Sequence, residues 1–172
     1  PRQIKFWKDL YLHGLGEFYF RNNIDFTLKD FISFEIDSSR ELAPCALPIP
    51  EGDLVLVGGG KDSALMLELL KGSTAPRRRA CVLGSLEPAL AGVRIAGYEE
   101  PVVIHRAIDP KLLRLNDEGY LNGHTPFSAY LAFLGSFVGA LYGYSRTLAA
   151  NESSANEAAL VFHGMPINHQ YS

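Results

Sequence analysis

The fold is decided by residues 54–70, which read LVLVGGGKDSALMLELL. The first four residues form the apolar run of a buried strand, and the last seven have the apolar pattern of a helix. Three glycines and the polar residues Lys61, Asp62 and Ser63 lie between them. A strand, a glycine loop and a helix in this order build an anion site from backbone N–H groups and a helix N-terminus. The sequence therefore predicts a phosphate-binding loop.

Each residue type in this loop suits a phosphate. Glycine lets a backbone N–H approach an anion without a Cβ in the way, often at positive φ. Lys61 adds a positive charge, Asp62 can hold Mg²⁺ or cap the helix, and Ser63 can donate to a phosphate oxygen. The predicted phosphate-binding residues are Gly58, Gly59, Gly60, Lys61, Asp62 and Ser63. A plain glycine turn capped by Asp62 or Ser63 is the structural alternative.

The composition is that of a globular protein with one core. The chain has 172 residues, a net charge of −3 and 47% hydrophobic residues, so no general nucleic-acid-binding surface is expected. The basic cluster Arg77–Arg79 is interpreted as a solvated loop. Cys45 and Cys81 lack C-x-x-C spacing, so neither a disulfide framework nor a zinc site is expected. No apolar run is long enough to cross a membrane, and a reducing cytoplasm is the expected location.

The first 50 residues differ from the rest of the chain. They are rich in aromatic side chains, begin with helical spacing, and show a partial alternation over residues 27–36 that predicts a strand. A proline-rich linker at residues 43–52 ends this segment. Residues 51–172 are predicted to form the phosphate-binding domain. Because the chain starts at Pro1 and stops in a polar stretch, we expect a fragment of a longer protein.

From residue 53 onward, predicted strands and helices alternate. The strands are predicted at 54–58, 80–84, 101–107 and 146–150, and the helices at 62–71, 87–97, 109–116 and 126–143. Such alternation predicts an α/β fold with a parallel sheet and helices on both faces. The last of these helices is expected to be buried, packing closely through small residues. Ligands of such sheets bind beyond the carboxyl ends of the strands, where the glycine loop is expected.

Two polar patches are further candidates for the site. In the first, residues 122–126 (NGHTP), Thr125 and Pro126 make a helix start, and His124 is either a site residue or a helix-entry residue. In the second, residues 151–157 (NESSANE), the two readings are a capped turn and a contact to Mg²⁺ or to substrate through Asn151 and Glu152. Both alternatives stay open for each patch.

These motifs resemble a known enzyme superfamily. Gly58–Ser63 lacks Walker A spacing and resembles the PP-loop, S-G-G-x-D-S, of the ATP pyrophosphatases, with Gly58 in place of the first serine. Together with residues 122–126, 151–155 and 168–172 (NHQYS), the loop is similar to the MurL family of UDP-N-acetyl-α-D-muramoyl-L-alanyl-L-glutamate epimerases. The resemblance covers residues 54–172 and implies a Rossmann-like PP-loop domain.

The resemblance implies a reaction in peptidoglycan-precursor synthesis. ATP and Mg²⁺ would activate the terminal glutamate of a UDP-muramoyl dipeptide, or another carboxylate, and release AMP and pyrophosphate while the Cα inverts. Lys61 would stabilise the departing pyrophosphate, Asp62 and Glu152 would hold Mg²⁺, and Gly123 would lie near the nucleotide. The acid/base candidates are His124, His163, His169 and Cys81, of which His124 and His169 are assigned to the catalytic set with Lys61, Asp62 and Glu152. No nucleic acid or membrane partner is implied.

Two rival functions remain at this stage. One is another adenylating PP-loop enzyme, which would modify tRNA or a base, or form an amide; an RNA-modifying member would need catalytic cysteines or a basic face. The other is a non-catalytic module that binds an adenine nucleotide, which would need neither Asp62 nor the 151–157 patch. The sequence does not determine the oligomeric state.

Overall fold

The computed structural model describes residues 2–37, 43, 45–123 and 125–168. The helices are α1 (Arg2–Gly14), α2 (Gly16–Arg21), α3 (Lys61–Leu70), α4 (Glu87–Ile95), α5 (Pro110–Asp117) and α6 (Phe127–Tyr142). The strands are β1 (Asp53–Leu56), β2 (Arg78–Leu83), β3 (Val102–Ile104), β4 (Arg146–Leu148), β5 (Leu160–Phe162) and β6 (Met165–Ile167).

The chain forms two compact units. The helical unit comprises residues 1–46, 109–130 and 153–172, and the sheet unit comprises residues 47–108 and 131–152. The chain passes between the two units at several points. One of them, after residue 46, falls within the predicted linker, and another, after Tyr130, falls inside α6. The division of the protein into an N-terminal segment, 1–50, and a domain, 51–172, stays a prediction.

The sheet unit is built on a four-stranded parallel sheet in the order β3-β2-β1-β4. This confirms the predicted α/β fold, and the strands and helices predicted after residue 53 are present with bounds that differ by up to three residues. The chain passes from β1 to β2 to β3 in one direction, and β4 then pairs on the other side of β1. The carboxyl ends of β1 and β4 therefore flank the point where the strand order reverses, which is where open α/β sheets bind ligands.

Helices cover both faces of this sheet, as predicted. On one face, Val55 and Val82 pack with Leu67 of α3 and Val93 of α4. On the other face, Leu54, Cys81 and Val102 pack with Val138 of α6. Neighbouring residues of a strand point to opposite faces, so the unbroken apolar run of β1 supplies both cores.

Close packing of α6 depends on two glycines. A Cβ at Gly135 would lie 2.7 Å from the Cγ2 atom of Thr147 in β4, and a Cβ at Gly139 would lie 3.1 Å from the carbonyl oxygen of Tyr144. The predicted packing through small residues is thus present. The prediction that this helix is buried was wrong for most of its surface, because its buried residues are Gly135, Val138 and Gly139.

The basic cluster Arg77–Arg79 was predicted as a solvated loop, which holds for the exposed Arg77 but was wrong for Arg78 and Arg79. Arg78 and Arg79 begin β2, and Arg78 Nη2 lies 3.4 Å from Oδ2 of Asp53, a carboxylate that is only 2% exposed. Arg146 Nε donates to Oδ1 of the same carboxylate at 2.7 Å. A buried carboxylate needs such cationic partners. Arg77 stacks on Tyr144 and donates to the carbonyl oxygen of Gly143. The three arginines of the cluster line a cavity of about 650 Å³.

The helical unit has an aromatic core. Tyr19 of α2 and Phe26 are buried together with Met165 and Ile167 of the antiparallel β5–β6 hairpin. The strand predicted at residues 27–36 is wrong, since these residues form turns and irregular chain. The cause is local: Oδ1 of Asp25 accepts from both the backbone N–H and the hydroxyl of Thr27, which starts a turn instead of a ladder.

Candidate functional site

The glycine loop leaves β1 and is held closely against α4. A Cβ at Gly59 would lie 2.8 Å from the backbone nitrogen of Ala89, in the first turn of α4. Gly59 also has φ +86°, in the left-handed region that side chains disfavour. Glycine is therefore required here for two independent reasons. Sequence reasoning had assigned no role to the start of α4, although Pro88 marks it as a helix start.

The loop ends at the N-terminus of α3. Gly60 is the N-cap, with extended backbone, and its carbonyl accepts from the N–H of Ala64 at 3.1 Å. Ser63 Oγ accepts from the backbone N–H of Gly58 at 3.0 Å, so this hydroxyl closes the loop on itself. The N–H groups in the first turn of a helix have no partner within the helix and carry a partial positive charge. The loop therefore favours an anion at this end of α3.

The ammonium of Lys61 joins two carboxylates beside the loop. Its Nζ lies 2.8 Å from Oδ1 of Asp62 and 2.8 Å from Oε2 of Glu152. The hydrogen bond that Lys61 donates to Asp62, and then the one that it donates to Glu152, hold the pKa of Lys61 above its usual value, so the side chain is a cation throughout the physiological range. The three side chains are 42% to 73% exposed, and ion pairs this exposed contribute little to folding. Their main effect is to hold one positive and two negative charges beside the glycine loop.

Topology explains why these residues meet. Lys61 begins α3, directly after the loop that follows β1, and Glu152 follows β4. β1 and β4 are neighbours and run parallel, so their carboxyl ends lie side by side. The contact between Lys61 and Glu152 therefore lies at the reversal point of the strand order.

The two carboxylates beside the loop are too few to hold a metal ion by themselves, but they suit a metal ion that is also bound by a phosphate. Among the described residues, no group of three or more His, Cys, Asp or Glu side chains could hold a metal ion. Asp62 and Glu152 supply two carboxylates around one point. Mg²⁺ is usually bound by one or two carboxylates together with substrate phosphates and water. The pair thus matches the donor number that a Mg²⁺–phosphate complex needs.

Asn122 and Gly123 lie in the helical unit, where each has a structural partner. A Cβ at Gly123 would lie 3.1 Å from the Cα atom of Phe18, so glycine permits close approach to α2. The carbonyl oxygen of Asn122 accepts from Nδ2 of Asn22 at 3.0 Å. His124 and His169 lie outside the described residues, and their assigned roles stay predictions.

The two other acid/base candidates are packed against apolar groups. Cys81 is 3% exposed in the core beside β1, and burial raises the pKa of its thiol to about 11. The structure therefore places Cys81 as a core residue. His163 occupies the turn of the β5–β6 hairpin at φ 47°, with its ring against Phe26 and Phe162.

Comparison with known proteins confirms the resemblance to the MurL family. A model of the MurL N-terminal domain family matches residues 1–172. UDP-N-acetyl-alpha-D-muramoyl-L-alanyl-L-glutamate epimerase of Xanthomonas oryzae pv. oryzae (strain MAFF 311018) is 32% identical over 166 residues, which are 96% of this chain and 36% of that protein. The proteins of the same name in Salinispora tropica and Micromonospora sp. (strain ATCC 39149) are 30% and 33% identical, over 100% and 95% of this chain and 37% and 36% of their own length.

The chain thus spans little more than a third of the length of these relatives. No solved structure matches it. Within the described part of the chain, none of the helices combines the length and the apolar character needed to cross a membrane.

Proposed function

Because this chain belongs to the MurL N-terminal domain family, we propose that it is the ATP-binding part of an enzyme that inverts the terminal L-glutamate of UDP-N-acetylmuramoyl-L-alanyl-L-glutamate. The name of the relatives supports the substrate and the reaction class. The proposed nucleotide products are AMP and pyrophosphate, as the PP-loop pattern of residues 58–63 implies. The observation that carries the proposal is the position of Lys61 and Glu152 beside the glycine loop at the reversal point of the sheet.

Carboxylate activation is the chemical reason for using ATP. The Cα–H of a glutamate anion is very weakly acidic, since removing the proton places a second negative charge beside the first. Adenylation of the α-carboxylate removes that charge and gives an acyl group that stabilises an enolate. A base then takes the proton, and reprotonation from the opposite face inverts the centre. Hydrolysis of the acyl-adenylate makes the inversion irreversible.

The residues of the sheet unit suit the first half of this chemistry. The loop N–H groups and the N-terminus of α3 would bind the phosphates. Lys61, held as a cation by its two carboxylate partners, would stabilise the negative charge that develops on the leaving pyrophosphate. Asp62 and Glu152 would hold Mg²⁺, which supplies further charge neutralisation at the phosphate oxygens.

The proton-transfer residues of the second half stay a prediction. His124 and His169 are the proposed acid/base residues, and the part of the longer relatives that this chain does not match can contribute others. The sheet unit is proposed to deliver the activated carboxylate, and not to remove the proton.

The nucleotide products test the proposal. The full-length protein is incubated with ATP, Mg²⁺ and the UDP-muramoyl dipeptide, and the products are separated by ion-exchange chromatography. AMP and pyrophosphate, formed only when the dipeptide is present, are expected. ADP and phosphate as products would contradict the PP-loop assignment. Nucleotide binding without any turnover would favour the alternative function, a non-catalytic module that binds an adenine nucleotide.

A further inference from the structure

The outer surface of α6 is apolar to a degree that the other helices do not share. Its 16 residues, FSAYLAFLGSFVGALY, include no charged side chain, whereas each of the other five α-helices within the described part of the chain carries at least two. On the part of α6 that belongs to the sheet unit, Phe137 is 66% exposed and Leu141 is 68% exposed. These residues are four positions apart and so lie on one face of the helix.

The hydroxyl group on this face is bonded to its own helix. Ser136 is exposed, and its hydroxyl donates to the carbonyl oxygen of Ala132 one turn earlier at 2.8 Å. The hydrogen-bond donor of this hydroxyl is thus used within the helix. The exposed side of α6 in the sheet unit, which carries Ser136, Phe137 and Leu141 and is here called the α6 outer face, therefore presents mainly hydrocarbon to its surroundings.

Packing on the sheet explains why the inner side of α6 has no charged residues. It does not explain why the outer face has none. Gly135, Val138 and Gly139 pack on the sheet and must be small or apolar. Helices that cover an open sheet normally carry charged residues on the side that faces water. A contiguous apolar strip on that side is typical of a protein–protein interface.

We propose that the α6 outer face docks against further polypeptide of the same protein, the region that the longer relatives carry beyond their N-terminal domain. The curated relatives match this chain over only 36% to 37% of their length, and the matching family is defined as an N-terminal domain. A tethered segment docks at a high effective concentration, so a modest apolar strip is sufficient for stable contact. The inference depends on family membership and not on the proposed reaction.

Cysteine accessibility in the full-length protein tests this docking. Ser136→Cys places a nearly isosteric thiol at an exposed position next to Phe137, at the edge of the α6 outer face, and Arg94→Cys places a control thiol on α4, where the side chain is 62% exposed. Maleimide labelling is mapped by peptide mass spectrometry, and each rate is divided by the rate at the same site in urea. Labelling at position 136 is expected to be slower than at position 94 by about tenfold or more, because it requires local opening. Equal rates at the two positions would overturn the proposal.

Two further measurements identify the occupant. The protection at position 136 should not change over a dilution series followed by light scattering, because the occupant is tethered; loss of protection when the protein becomes monomeric would show a second copy instead and reject the proposal. Adding Phe137→Ser and Leu141→Ser should abolish the protection, whereas Ile95→Ser, at an 81% exposed residue of α4, should leave it unchanged. Protection that survives the double substitution would also reject the proposal.

Discussion

Lys61 Nζ and Glu152 Oε2 lie 2.8 Å apart although 91 residues separate them in the chain. The contact joins the end of the glycine loop to the segment that follows β4, across the reversal point of the parallel sheet. Asp62 shares the same ammonium. We propose that this ammonium exchanges its carboxylate partners for a phosphate, which leaves the two carboxylates to a metal ion, and the first two predictions test this proposal.

Removing the Lys61 ammonium should slow the chemical step more than it weakens nucleotide binding. We expect Lys61→Ala to lower the turnover of ATP by about 10²–10³-fold, by analogy with the loss of one oxyanion donor. The control is Lys111→Ala, at an exposed lysine of α5 in the helical unit. Steady-state kinetics of AMP release measure both variants. Equal turnover in Lys61→Ala and wild type would remove Lys61 from the catalytic set.

Glu152→Gln should weaken the dependence on Mg²⁺ specifically. An amide cannot balance a divalent charge as a carboxylate does, so the Mg²⁺ concentration at half-maximal activity should rise by about tenfold or more, the range seen when even indirect metal partners are lost. Glu118→Gln, at the exposed C-cap carboxylate that follows α5, should not change it. A Mg²⁺ titration of activity at saturating ATP distinguishes the two variants, and an unchanged midpoint in Glu152→Gln would exclude a metal role.

Gly59→Ala should destabilise the loop. The new Cβ would meet the Ala89 backbone nitrogen at 2.8 Å, and alanine at φ +86° costs about 1–2 kcal/mol on its own. We therefore expect a lower melting temperature and weaker ATP binding. Gly72→Ala, where a Cβ has nothing within 4 Å, is the matched control and should stay within about 0.5 kcal/mol of wild type. Thermal unfolding followed with and without ATP measures both effects.

The two cysteines should differ in reactivity. Cys45 is exposed and should react with a thiol reagent in the native protein, whereas Cys81 should react only after unfolding. Burial raises the Cys81 pKa from 9.0 to about 11, so the unfolded state ionises first as the pH rises. The contribution of this thiol to stability is therefore complete below pH 9 and is lost between pH 9 and about pH 11. Peptide mapping after labelling at pH 8 tests the difference in reactivity between the two cysteines. Rapid modification of Cys81 in the native protein would contradict it.

The order of elements in the sheet unit could be predicted from sequence for a specific reason. The apolar runs at Leu54–Val57 and at residues 80–84 are too short for helices and are separated by helical patterns, so a parallel sheet is the natural outcome. The prediction of a strand at residues 27–36 was wrong because a partial alternation of apolar residues does not supply a strand to pair with. Asp25 instead forms a turn with Thr27.

The candidate site was predictable only in part. The sequence indicates the glycine loop directly, because glycines between a strand and a helix have few other uses. The contact between Lys61 and Glu152 depends on β4 pairing with β1, and residue patterns do not determine strand order. The structural role of Arg78 was missed for a similar reason, since its partner Asp53 becomes buried only when β1 lies inside the sheet.

The most direct test of the central claim is proton exchange at the glutamate Cα. The full-length protein is incubated in D₂O with the UDP-muramoyl dipeptide, with and without ATP and Mg²⁺, and the glutamate is examined for deuterium and configuration by mass spectrometry and chiral chromatography. With ATP, we predict one deuterium at Cα, a change from L to D and release of AMP; without ATP, none of these should occur. Release of AMP with an unexchanged, L-configured glutamate would contradict the epimerase, and deuterium incorporation without ATP would contradict activation of the carboxylate.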